Sequence, residues 1–348
     1  LFIKYGKSIN NLLKIKKSFI TDNSVFLEKQ KKIADELSKQ PLKTSCKICG
    51  TKPSESFFEK NGIKFFQCEK CTHLNSIHDE TNEFLESLYT EDKGHNYAKS
   101  YIEQQREDYI NRTETIYTPK VEFLSDFLES KGESLKENRI VDFGCGSGYF
   151  LYALEKLGID NARGYEVSES QASYGNSLLK SNKITPFNIN EAGSISSKLD
   201  CEIISFIGVL EHMKSPHDVF KGIAKNKAIK YIYLSVPLYS FSVFVEMAFQ
   251  NVMARQLSGG HTHLFTKESL TYLANEYDFE IAAQWWFGTD IMDMFRSIIV
   301  TINGNRGTEN AVGKFESRFM KMVDNLQMEL DKEQLSSEVH MVLSRKAN

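Results

Sequence analysis

The stretch Ile140-Val141-Asp142-Phe143-Gly144-Cys145-Gly146-Ser147-Gly148-Tyr149-Phe150 decides the fold. Apolar residues directly before a glycine cluster mark a buried parallel strand, and Phe150, Leu151, Leu154 and Leu157 recur at helical spacing until Gly158 stops them. The unit is strand, tight turn, helix. Gly144, Gly146 and Gly148 let the backbone turn sharply and come close to a ligand, because no Cβ intervenes and positive φ costs little. Next, Arg163-Gly164-Tyr165-Glu166-Val167 reads as a second strand ending in an acid, where a doubly wound fold places a carboxylate to hold ribose hydroxyls. Together these describe a nucleoside pocket.

The glycine spacing narrows the nucleoside. A dinucleotide fingerprint G-x-G-x-x-G begun at Gly144 or Gly146 needs a glycine or alanine where Tyr149 or Leu151 stands. Asp142 at the head of the turn also suits a cationic amino-acid group better than a pyrophosphate of like charge. The segment resembles the first motif of the class I S-adenosylmethionine-dependent methyltransferases, an acid followed by G-x-G-x-G, with Glu166 matching the ribose acid. The resemblance implies a donor site of Asp142, Gly144, Cys145, Gly146, Gly148, Glu166, Val167, Ile207 and Gly208. Asn188 and Ile189 stand where the family has an acid and an apolar residue beside the adenine.

Downstream, helix and strand alternate. Ala172, Leu178 and Leu179 mark a helix, Ile184 to Ile189 a third strand, Cys201 to Phe206 a fourth, and Lys230 to Val236 a fifth that ends at Pro237. Phe279 to Phe287 resembles the sixth strand, and Val339 to Leu343 the last, antiparallel one of the family. The expected class is α/β, a doubly wound, Rossmann-like methyltransferase sheet whose ligand sits outside the carboxyl ends of its strands. Residues 139–348 form this domain, with helices inserted near 238–262 and 288–335 as an acceptor lid.

A second signal is Cys46-Lys47-Ile48-Cys49 followed, after eighteen residues, by Cys68-Glu69-Lys70-Cys71. Two C-x-x-C knuckles at this separation give the spacing of a four-thiolate zinc site, each knuckle offering two sulfurs from one turn. Four thiolates close the coordination shell, so the expected zinc is structural. Phe57, Phe58, Phe65 and Phe66 predict a small hairpin between the knuckles that leans on the metal. Residues 41–80 are therefore read as a zinc ribbon.

Residues 1–40 are read as two amphipathic helices, with Phe2, Ile9, Leu12, Leu13 and Phe19 on one face and Phe26, Leu27, Ile33, Ala34 and Leu37 on another. Packing explains such faces, and a homodimer contact is the functional alternative. Residues 81–138 form a helical connector dense in tyrosine, and Tyr97 is the residue expected to close over the methyl donor.

The fourth strand runs into Leu210-Glu211-His212, which resembles the "LEH" segment that many small-molecule methyltransferases place between donor and acceptor. Further on, Ser258-Gly259-Gly260 gives a hinge before His261-Thr262-His263-Leu264-Phe265-Thr266. A four-cysteine ribbon, a methyltransferase core and this late H-x-H-x-F-T segment together resemble bacterial sugar methyltransferases. Members that methylate carbon carry Glu-His at the late site. Thr262-His263 stands there instead, which favours oxygen as the methylated atom. An acceptor hydroxyl must lose a proton, a task for imidazole, so His212 and His263 are the candidate bases with Glu211 beside them. His261 and His263 alone are too few ligands for a metal.

Composition bounds the partners. The 348 residues are 41% hydrophobic and 26% charged, with net charge −3, which gives no electrostatic case for nucleic acid or an anionic membrane. No apolar run approaches the roughly 20 residues of a spanning helix. Lys14, Lys16 and Lys17 interrupt the start of the chain, unlike the apolar centre of a signal peptide, so a cytoplasmic enzyme is expected. The first residue is Leu1, so a targeting signal upstream of it would be invisible. Two other classes stay in view. An RNA methyltransferase would use the ribbon as reader, but Lys43, Lys47, Lys52, Lys60, Lys64 and Lys70 are nearly balanced by Glu55, Glu59, Glu69, Asp79 and Glu80. A noncatalytic donor-binding module would keep the glycine turn without turnover.

Overall fold

In a computed structural model the described residues are 1–9, 22–89, 106–258, 260–305, 307–308 and 310–347. Twelve strands are described: β1 (Phe2–Tyr5), β2 (Phe58–Lys60), β3 (Ile63–Gln67), β4 (Leu74–Ser76), β5 (Ile140–Phe143), β6 (Ala162–Glu166), β7 (Ile184–Pro186), β8 (Ile203–Ile207), β9 (Tyr231–Pro237), β10 (His263–Leu264), β11 (Phe279–Phe287) and β12 (Glu338–Arg345). Eight of them form one sheet in the order β1-β11-β12-β9-β8-β5-β6-β7. The five strands from β9 to β7 pair in parallel, and β12 inserts antiparallel between β9 and β11. This is the expected doubly wound sheet with its reversed last strand.

Strand alternation splits the apolar residues between two cores. Val141, Phe143, Ile204, Phe206, Ile232 and Leu234 face one side, where Val219, Phe220 and Ile223 of the helix Pro216–Lys225 cover them. Ile140, Ile203, Tyr231 and Tyr233 face the other, under Phe123, Leu124 and Phe127 of the helix Thr118–Glu129. The strand order reverses between β5 and β8, so the loops leaving these two strands diverge and open a crevice.

The start of the chain departs from the helical expectation. Phe2–Tyr5 is an edge strand parallel to β11, with Phe2 opposite Ala283 and Tyr5 opposite Trp286. The exposed edge of β11 supplies the backbone partners, and this outweighs a weak local helical spacing. Residues 10–21, which carry the rest of that face, lie outside the described residues. The second helix forms as Asn23–Ser38 and packs inward through Leu27, Ala34 and Leu37. Its Gln30 side chain pairs with the backbone of Ala254, donating to the carbonyl at 2.5 Å and accepting from the amide at 2.9 Å.

The ribbon is a second sheet in the order β10-β4-β3-β2. Its fourth strand comes from the far end of the sequence: His263 lies opposite Asn75 and Leu264 opposite Leu74. Cys46, Ile48, Cys68 and Cys71 share one apolar cluster with Val219 and Leu270, so the ribbon is built into the wall of the main core. The helices Phe241–Ala248 and Asp290–Asn303 pack on each other, tied by Ser242, whose backbone N–H and hydroxyl donate to Asp290 Oδ1 at 3.0 and 2.9 Å. Among the described residues no helix is long and apolar enough to cross a membrane.

Candidate functional site

A cavity of about 910 Å³ opens at the switch point, lined by residues that follow β5, β6, β7 and β8 and, on the opposite wall, by Lys43 to Gly50 of the ribbon. That volume lies in the upper part of the roughly 300–1,000 Å³ range of small-molecule sites. Its floor is the glycine turn. Gly144 has φ +74° and Gly146 φ +54°, left-handed values that a β-branched side chain does not tolerate. A Cβ on Gly144 would also meet the Val209 side chain at 2.8 Å. The turn is held from behind by Tyr109, which is fully buried, stacks on Tyr149 and donates its hydroxyl to the Ser147 carbonyl at 2.9 Å.

Two buried carboxyls flank the turn. Glu166 at the end of β6 accepts the Gly146 N–H at 2.7 Å and the Ser168 N–H at 2.9 Å. Asp142 on β5 accepts the Ser205 hydroxyl at 2.7 Å. Burial pushes Asp142 up to about 7, against the pull of that hydroxyl and of Lys120. Burial likewise raises Glu166, against three backbone N–H groups. Both acids therefore lack the full charge compensation that a cationic, hydroxyl-bearing ligand would bring.

The sequence model of the methyltransferase-domain family matches residues 107–284, slightly more than half of the chain. The chain belongs to this family. It is an S-adenosylmethionine-dependent methyltransferase. Solved structures resemble it at low identity. Magnesium protoporphyrin IX methyltransferase from Synechocystis PCC 6803, with bound SAH, is 11% identical over 76% of this chain and 100% of that one, with TM-score 0.46. The plantazolicin methyltransferase BamL is 12% identical over 76% and 94%, with TM-score 0.45. The methyltransferase domain of bacterial CtHen1-C is 15% identical over 66% and 98%, with TM-score 0.41. No curated protein matches the sequence.

In this methyltransferase the cavity takes in Asp142, Gly144, Cys145, Gly146, Glu166, Val167, Ile207 and Gly208 together. Gly148 stands behind the lining, where a Cβ would meet Ile184 at 2.9 Å. Asn188 does not reach the cavity. β7 stops at Pro186, and Asn188 is exposed and accepts the Asn190 N–H at 2.9 Å as cap of a short 3-10 turn. That turn brings Phe187, Ile189 and Asn190 to the wall instead. Tyr97 lies outside the described residues, while Tyr117 and Tyr149 of the tyrosine-rich region do line the cavity.

The expected histidines separate. His212 lines the cavity, and its Nδ1–H donates to the Gly260 carbonyl at 3.2 Å. His263 does not line it. The late segment adds β10 to the ribbon and carries His263 into its fully buried interior, Nδ1 2.9 Å from His73 Nε2, while His73 Nδ1 lies 3.2 Å from the Ser269 hydroxyl. The histidine that stands beside His212 is His261, whose ring centroid is 5.1 Å from that of His212. Its Nδ1–H donates to the Gln256 carbonyl at 2.8 Å. Beside them Glu211 is 3% exposed, and burial pushes its carboxyl up to about 8. Burial lowers His212 to about 3 and His261 to about 4, so both rings are neutral. The sequence paired His261 only with His263, because its neighbours in the fold, Glu211 and His212, are some fifty residues away. Among the described residues, none of 238–262 or 288–335 lines the cavity.

The four cysteines converge as their spacing predicts. The Cys46 and Cys71 sulfurs are 3.6 Å apart and those of Cys49 and Cys68 3.3 Å, within a group whose sulfurs all lie within 4.8 Å of one another. Sulfurs bound to one tetrahedral zinc at about 2.3 Å lie about 3.8 Å apart, so the set fits the ion. Each knuckle closes on a left-handed residue, Gly50 with its N–H on the Cys46 carbonyl at 3.0 Å and Thr72 with its N–H on the Cys68 carbonyl at 2.8 Å.

Proposed function

We propose that this enzyme transfers the methyl group of S-adenosylmethionine to an oxygen of a small hydroxylated acceptor, of the sugar or sugar-linked class. The observation that carries the donor half is the pairing of a left-handed glycine turn with the buried Glu166 carboxylate at the switch point. Glu166 is assigned to the ribose hydroxyls, Asp142 to the amino-acid end, and Phe187 and Ile189 to the adenine. Together with Val167, Ile207 and Gly208 they enclose the donor.

The acceptor half rests on the opposite wall. There Asp79 and Asn82, with Lys214, Asp218 and Glu276 elsewhere in the lining, offer hydrogen-bonding groups of both signs. Mixed polar walls suit a neutral polyhydroxylated molecule, whereas a phosphate backbone calls for a basic surface. The four cysteines are assigned a structural zinc that fixes this wall, since Cys46 and Cys49 are themselves part of it.

The chemistry needs alignment and removal of one proton. The acceptor oxygen approaches the methyl carbon in line with the sulfonium, the new O–CH3 bond forms as the S–CH3 bond breaks, and sulfur keeps the pair as a neutral thioether. The hydroxyl proton leaves on the side of Glu211, His212 and His261, of which His212 faces the cavity. Calorimetry with S-adenosylmethionine and S-adenosylhomocysteine tests the donor half, and transfer of labelled methyl to a panel of nucleotide-linked and free sugars, against RNA, tests the acceptor half. Label on RNA alone overturns the sugar assignment.

A further inference from the structure

We propose that Glu211, His212 and His261 hold a divalent first-row transition cation at the cavity wall, distinct from the four-cysteine site. The proposal rests on the methyltransferase reading of the cavity for its role, though not for its geometry. Among the described residues, these three are, besides the cysteines, the only group of three or more His, Cys, Asp or Glu side chains whose ligand atoms converge, all within 4.8 Å of one another. Donors on one ion at about 2.0–2.2 Å lie roughly 3–4 Å apart, so small side-chain rotations close the shell.

The outer partners point the same way. Each ring gives its Nδ1–H to a backbone carbonyl, His212 to Gly260 and His261 to Gln256. A carbonyl only accepts, so the lone pair of each imidazole lies on Nε2, the arrangement by which ligating histidines are held and oriented. The carboxylate supplies a second, independent observation. Glu211 Oε2 is buried, and among the described residues no donor reaches it. Such an orphaned oxygen costs free energy that a bound cation would offset.

Two imidazoles and one carboxylate suit Mn2+, Fe2+, Co2+ or Zn2+, and three protein ligands leave a coordination position open. Because His212 faces the cavity, that position would be open to the acceptor. A cation there polarises a hydroxyl and lowers its pKa, so the proton departs to solvent without a free imidazole as base.

Manganese discriminates the two sites, because it prefers oxygen and nitrogen donors to thiolates. Purified chain with zinc on its cysteines is titrated with Mn2+ and the bound fraction read by electron paramagnetic resonance. It is also dialysed against Zn2+ and its total metal counted. The expected results are one Mn2+ per chain, two Zn2+ per chain after dialysis, and about tenfold or greater weakening of Mn2+ binding in both Glu211→Gln and His261→Asn. Calorimetry with S-adenosylhomocysteine reports whether each variant is folded, and the wild-type stoichiometry decides the matter even where a variant is not. No bound Mn2+ together with a single Zn2+ per chain overturns the proposal, as does binding that survives both substitutions. Wild-type protein that binds the cation but not S-adenosylhomocysteine overturns instead the donor assignment.

Discussion

The backbone N–H of Gly146 donates to Glu166 Oε2 at 2.7 Å, which joins the glycine turn and the acid at the end of β6 into one unit. Each then depends on the other. Gly146→Val forces a β-branched residue to φ +54° and sets a Cβ 3.2 Å from Gln171 Oε1, so donor binding should be lost. Glu166→Ala removes an acceptor from two N–H groups as well as from the ribose hydroxyls proposed to bind there. It should weaken binding by about 1–3 kcal/mol, the loss of charge-assisted hydrogen bonds. Calorimetry with S-adenosylhomocysteine measures both, and unchanged affinity in the pair refutes the donor assignment.

Asp142 should make donor affinity depend on pH. Its carboxyl stands at about 7 in the donor-free chain, raised from 3.8 by burial. A donor with a cationic amino-acid group favours the ionised form, so affinity should rise as pH increases toward 7 and level off above it, by up to about tenfold per unit below. Stability of the donor-free chain runs the opposite way. The folded state holds this proton more tightly than the unfolded state, so Asp142 costs stability as pH rises from about 4 to about 7. Thermal shifts with and without donor across pH 5–8 should diverge with pH, and in Asp142→Asn they should run parallel.

Much of this was legible in the sequence because it was local. The glycine turn, the acid after β6 and the two knuckles each lie within a few consecutive residues, and their backbone demands appear as glycines and fixed spacings. What the sequence hid depends on pairing at a distance. Phe2–Tyr5 takes its strand form from β11, and His263 its burial from β4. Asn188 lies off the cavity because Pro186 ends β7 early and a 3-10 turn follows, so that its neighbours Phe187 and Ile189 line the wall instead. His261 joins Glu211 and His212 only in the fold.

The ribbon should behave as part of the site. Protein purified without chelator should carry one tightly held zinc that Cys49→Ser loses. Because Cys46 and Cys49 line the cavity and Cys46, Ile48, Cys68 and Cys71 share the main apolar cluster, loss of that zinc should lower the melting temperature and the donor affinity together. Metal analysis beside differential scanning fluorimetry checks this. A zinc-free chain that melts and binds donor as before would falsify the structural role.

The two histidines first paired as candidate bases should now give opposite phenotypes. His212 faces the cavity, so His212→Ala should cut single-turnover methyl transfer by about 10²–10⁴-fold while leaving S-adenosylhomocysteine affinity nearly intact. His263 is fully buried in the ribbon and partnered by His73. His263→Ala strips His73 Nε2 of that partner and leaves a void beneath Phe265, whose ring centroid lies 5.3 Å away. The cost should be about 1–3 kcal/mol of stability, with turnover per folded molecule close to wild type. Denaturant titrations give the first quantity and single-turnover rates, normalised to donor-binding sites, the second. If His263→Ala instead loses turnover at full stability, the late segment moves to the acceptor during the reaction and the ribbon strand β10 is its resting place.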